Sequence, residues 1–127
     1  MDDREAIRDL LHRYALAVDR KRIDAVASCF TPDCTYEGAL GRGTIGHALR
    51  TLEHAFERYA RTMHMIGTQE IHVDGDVARA ETYCVAYHVR ADGGQLTVGV
   101  RYCDDLVRGA QGWQIRRRVV RSDWTRE

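Results

Sequence analysis

The hydrophobic period of this 127-residue chain changes once, near its midpoint, and that change limits the possible folds more than any other feature. Before it, apolar residues recur at spacings of three and four. Ile7, Leu10, Leu11, Tyr14 and Val18 form one helical stripe, and Ile45, Leu49, Leu52, Phe56 and Tyr59 form another. From His64 onward the period is two. It is punctuated by "DG" at 74–75, "ADGG" at 91–94 and "GAQG" at 109–112, each a hairpin signal. A second short helix carries Ile23, Val26, Ala27 and Phe30 and ends at "TPD", 31–33. "CTYEGAL" then predicts a strand running into a glycine-rich turn, "GRG", at 41–43. The third helix covers about 45–60, with Thr44 as its N-cap. Helices followed by a meander of four long antiparallel strands predict an α+β fold. The expected form is a curved, cone-shaped antiparallel sheet with three helices packed across it, an α+β barrel with an open mouth suited to a small molecule.

The length suits one domain over residues 1–127. Nineteen basic and 19 acidic residues give a formal net charge of zero, so no electrostatic footprint for nucleic acid or anionic lipid is expected. No apolar run approaches the roughly 20 residues of a membrane span. The N-terminus lacks the charged and apolar regions of a signal peptide. Cys29, Cys34, Cys84 and Cys103 contain no CxxC pair, so a metal site is not expected. They read as reduced thiols of a cytoplasmic protein.

In the strand that begins after "DG", one face carries Val77, Arg79, Glu81, Tyr83, Val85 and Tyr87. The other carries Ala78, Ala80, Thr82, Cys84, Ala86 and His88. Tyrosines with a valine suit a pocket wall, and equally suit cross-strand aromatic pairing. The small-residue face suits close packing of a helix or of a second subunit. Two groups have chemical potential beyond packing. Asp19 closes the first helix, where it either caps the next helix or holds a basic partner. His64, flanked by Met63 and Met65, is either a histidine satisfied by the backbone or a base near neutral pH. An Asp that orients an imidazole fixes its tautomer and stabilises the imidazolium. In the run Arg116–Arg118, strict alternation separates Arg117 from the other two. One inward arginine would bind an anionic group through its fork of donors.

The order "YALAVDRKRIDAVASCFTPD…YEG…G", then "MHMIG", "DGDVARAETY" and "RYCDDLVR…GWQIRRR…DW" resembles the SnoaL-like branch of the nuclear-transport-factor-2-like superfamily over nearly the whole chain. Enzymes of that branch include scytalone dehydratase and hexachlorocyclohexane dehydrochlorinase. The resemblance implies the cone fold, a catalytic Asp–His dyad at Asp19 and His64, and a pocket arginine at Arg118. It implies substrate-lining positions at Tyr14, Tyr83, Val85, Val98 and Tyr102, and so makes the Val77–Tyr87 face the inner one. A second histidine of the dehydratase falls on Tyr87 without gaps; His88 is one position away, and a bulge would bring it inward in place of Tyr87. Val18 and Tyr102 replace that enzyme's pocket tyrosine and asparagine. The function expected is that of a cofactor-independent lyase or isomerase, in which the dyad takes a proton from a small cyclic or aromatic, largely apolar substrate. No cofactor and no metal are called for. The alternatives are a small-ligand-binding module and an accessory subunit of an oxygenase. A homo-oligomer, dimer or trimer, is expected through a sheet face, with Ala78–Ala86 able to support that packing.

Overall fold

The computed structural model describes residues 2–127. Helix α1 spans Asp3–Asp19 and starts where the Asp2 side chain accepts a hydrogen bond from the Glu5 amide at 2.8 Å. One turn of helix, α2 (Ile23–Ala27), leads into strands β1 (Phe30–Gly38) and β2 (Gly41–Thr44). Helix α3 (Ile45–Arg58) is capped by Thr44, which accepts from the His47 amide. Four long strands follow: β3 (Tyr59–Asp74), β4 (Val77–Arg90), β5 (Gln95–Gly109) and β6 (Gly112–Arg126).

The sheet order is β2-β1-β6-β5-β4-β3. The α+β class and the antiparallel meander agree with the hydrophobic pattern, with two refinements. Strand β1 runs parallel to β6, which makes the sheet mixed, and β2 and β3 are free edges, so it curves without closing into a barrel. "TPD" lies inside β1 rather than ending a helix, and "GRG" forms β2 rather than a turn. Strand β3 begins at Tyr59, upstream of the change in hydrophobic period.

The predicted inner face of β4 is reversed. Ala78, Ala80, Thr82, Cys84 and Ala86 are buried, whereas Val77, Tyr83 and Tyr87 are close to half exposed. The reason is steric. Helix α1 presses Ile7, Leu10, Leu11, Tyr14 and Val18 into the same core as Ala78, Ala80 and Cys84, and the small β4 side chains leave room for them. Fully buried aliphatic side chains such as Ile7 and Leu11 contribute roughly 1.5–3 kcal/mol each to stability. Tyrosines at the alanine positions would overfill that space. Ala78–Ala86 is therefore covered by the protein's own helices and is not available to another subunit.

Strand β6 shows a second departure from strict alternation. Ile115 pairs with Leu106 and Arg117 with Asp105, which leaves Arg116 as a bulge. Ile115 faces the core before the bulge and Arg118 after it, and both are fully buried.

Candidate active site

Asp19 is the last residue of α1, where a carboxylate opposes the helix dipole. Three donors from β3 compensate. Oδ1 accepts from the Thr62 hydroxyl at 2.9 Å and lies 2.7 Å from His64 Nδ1, while Oδ2 accepts from the His64 amide at 3.0 Å. Burial pushes the Asp19 carboxyl up, but the hydrogen bonds from His64 and Thr62 outweigh it and hold the group below the usual carboxylate range. Asp19 does not cap α2, whose N-cap is Arg22 without a side-chain bond.

An ionised carboxylate only accepts, so Nδ1 of His64 carries the proton and Nε2 is left for a ligand. The His64 side chain is 10% exposed and lines a cavity of about 240 Å³ between α1, α3 and the inner sheet face. Thr62 and His64 share one face of β3, so alternation delivers both to Asp19 once the strand is extended upstream.

His88 also lines the cavity, 6.1 Å from His64 between ring centroids. Even-numbered residues point inward all along this part of β4, so His88 faces the cavity without a bulge. Its Nδ1 lies 3.1 Å from the Leu96 carbonyl and donates to it. Burial pushes its pKa below the usual histidine value, which favours the neutral ring.

Tyr14, Val98 and Tyr102 line the cavity as expected. Tyr83, Val85 and Tyr87 do not, because they belong to the outer face of β4. Arg118 is also off the cavity wall. It is fully buried behind the aromatic lining, with its Cζ 4.4 Å from the Tyr14 ring centroid and 4.1 Å from that of Tyr102. Asp104 pairs with it in a bidentate fork of 2.7 and 2.9 Å. Burial disfavours the Arg118 charge, but Asp104 holds it protonated. One guanidinium nitrogen, Nη1, has no partner among the described residues. Burial pushes the phenols of Tyr14 and Tyr102 up against the pull of this cation, so both are neutral hydrogen-bond donors.

Sequence reasoning did not single out Lys21, Tyr36, Arg58, Tyr59 or Thr62 as site residues, although all line the cavity. Only Thr62 has a sequence signal, its place two residues before His64. Among the described residues, no three His, Cys, Asp or Glu side chains converge as metal ligands, and no helix is long and apolar enough to cross a membrane.

An open curved sheet with helices across it, and a cavity-wall histidine held by an aspartate behind it, define a class of small α+β pocket proteins. A SnoaL-like domain model matches residues 1–119, and the chain belongs to that family. An uncharacterized protein of Mycobacterium tuberculosis is 36% identical, with the match covering 94% of this chain and 84% of the relative. A candidate aromatic ring hydroxylase from Novosphingobium aromaticivorans superposes with a TM-score of 0.88 at 28% identity, covering 96% of this chain and 90% of that one. A candidate scytalone dehydratase from the same organism gives 0.88 at 21% identity, covering 96% and 85%. A hexachlorocyclohexane dehydrochlorinase (LinA type 2) gives 0.85 at 16% identity, covering 97% and 86%. The last two likenesses are of fold.

Proposed function

We propose that this protein is a cofactor-independent lyase or isomerase in which His64 removes a carbon-bound proton from a small cyclic or aromatic substrate. The observation that carries the proposal is the 2.7 Å contact between His64 Nδ1 and Asp19, with His64 on the wall of an open-mouthed, mostly apolar cavity. The Nδ1 bond leaves Nε2 with the lone pair a base requires. As Nε2 takes the proton, Asp19 stabilises the imidazolium that forms. The electron pair of the broken C–H bond either forms a double bond and expels a leaving group from the adjacent carbon, or passes to a conjugated carbonyl oxygen as an enolate. Tyr14, held by a hydrogen bond with Tyr102, supplies a neutral phenol donor for the oxygen or leaving group. Arg118 acts through these tyrosines, fixing and polarising their rings, and does not touch substrate. His88, with Nδ1 tied to Leu96, offers Nε2 as an acceptor that orients the substrate.

A panel of cyclic ketones and halogenated rings, screened for elimination or isomerisation by product chromatography, tests the reading. Turnover by the wild type and a loss of at least a hundredfold in His64→Ala is the expected outcome. Near wild-type turnover by His64→Ala sinks it.

The expected homo-oligomer is reassigned to the outer sheet face. Met63, Met65, Tyr83, Val85, Tyr87 and Trp124 form a continuous apolar patch there across β3 to β6, joined through the pairs Met63–Tyr87 and Met65–Val85. A second copy of this chain is the proposed occupant.

A further inference from the structure

The rim of the cavity is cationic, although the chain as a whole is neutral. Lys21 and Arg58 both line it, and no Asp or Glu does. Lys21 follows the end of α1, and Arg58 is the last residue of α3. Two helix C-termini therefore meet at this rim. Their carbonyl ends alone would repel an anion, and these two side chains reverse the sign. Among the described residues neither cation is within ion-pair distance of a carboxylate.

Lys21 is also the only non-glycine residue with positive φ among those described, at +56°. Glycine would adopt that left-handed conformation without steric cost, so a lysine there gives up some stability. Its ammonium donates to the Tyr59 carbonyl at 2.7 Å, which leaves two of its three protons free. Arg58 Cζ lies 5.8 Å from the ring centroid of the same Tyr59. Tyr59 thus holds both cations at one edge. Its ring packs on His88 at 4.8 Å, and His88 neighbours His64, so the rim and the dyad lie along one wall. Between them the lining is apolar, including Leu52, Phe56, Leu96 and Val98.

We propose that the cavity takes a ring compound bearing a carboxylate, held at the rim by Lys21 and Arg58 with its ring carbons turned toward His64. The substrate class rests on the reading of His64 as the base and sharpens it. The ring fills the apolar part of the cavity, and its volume of about 240 Å³ favours one or two rings over a sterol. The carboxylate stays at the partly hydrated rim, where the strongly hydrated ammonium and the guanidinium meet it without being fully desolvated.

A matched pair of probes, 2-naphthoate and its neutral amide, isolates the charge. Isothermal titration at low salt is expected to show the wild type binding the carboxylate about tenfold more tightly than the amide, the effect of two exposed charge contacts. The preference should shrink as salt is raised. In Lys21→Gly/Arg58→Gln it should fall to about twofold or less, with amide affinity unchanged. Glycine suits the +56° backbone, so this variant is expected to fold. Equal affinities in the wild type, or a preference that survives in the double variant, overturns the proposal. Neither probe carries an acidic carbon, so this comparison holds even if His64 proves not to be a base. The kinetics of His64→Ala decide that point separately.

Discussion

Asp19→Asn is the substitution that most sharply separates a positioned base from a buried structural histidine. The carboxylate accepts three hydrogen bonds, from Thr62, from His64 Nδ1 and from the His64 amide. An asparagine has one acceptor oxygen and one donor nitrogen. If its oxygen serves the His64 amide, its NH₂ faces Nδ1 and selects the tautomer with the proton on Nε2, which has no lone pair there for a substrate proton. If its oxygen serves Nδ1, its NH₂ opposes the His64 amide and the contact opens. In both cases the imidazolium loses its counter-charge. General-base catalysis contributes roughly 10²–10⁴-fold, so the rate should fall by about a thousandfold, or about 4 kcal/mol of barrier. The assay has two arms. Turnover of a substrate from the screen gives the rate, and ¹⁵N spectra of histidine-labelled protein give the His64 tautomer. The expected result is a proton on Nδ1 in the wild type and its loss from Nδ1 in the variant, together with the rate drop. A variant within threefold of wild-type turnover, or a wild type with its proton on Nε2, would refute the reasoning.

Other consequences are independent of substrate. The Asp19 carboxyl lies below its ordinary value of 3.8 when folded, so the native state binds fewer protons than the unfolded one; its stabilisation is complete above that value and is lost as pH falls through the folded value. Urea midpoints of wild type and Asp19→Asn should therefore keep their gap at every pH above 3.8 and converge only as pH falls below it; a gap that stays constant below 3.8 would contradict this. Arg118→Met leaves the Asp104 carboxylate fully buried without its partner and should cost about 3–5 kcal/mol by chemical denaturation, whereas Arg118→Met with Asp104→Leu should recover much of the loss. Met65→Glu with Tyr87→Arg places charges on the apolar outer face and should lower the sedimentation mass to that of one chain without changing the far-UV spectrum. A wild type that already sediments as a monomer would refute that interface.

The helices and the meander were legible because each depends on local patterning: stripes at three and four, alternation at two, and glycine turns between them. The parallel pairing of β1 with β6 has no such local signal, since it joins segments about 80 residues apart. The direction of the β4 faces is not legible because tyrosines resemble a pocket wall, while what decides the matter is the volume that the α1 side chains fill on the inner side. Asp19 and His64 were legible as a pair through the family resemblance. Arg118 was legible in position and not in role: a bulge at Arg116 turns it inward, and Asp104 then holds it behind the tyrosines. Lys21 and Arg58 lacked any signal, because surface cations near helix ends are common and only the folded rim brings them together.

Chemical rescue tests the central claim most directly. In His64→Ala, free imidazole can enter the space left beside Asp19 and act in place of the missing side chain. Turnover should be lost in this variant and return with added imidazole, in proportion to its neutral fraction, and not return in His64→Ala with Asp19→Asn. Turnover that persists in His64→Ala without imidazole, or a substrate-binding His64→Ala that imidazole leaves inactive, would contradict a proton-abstracting His64.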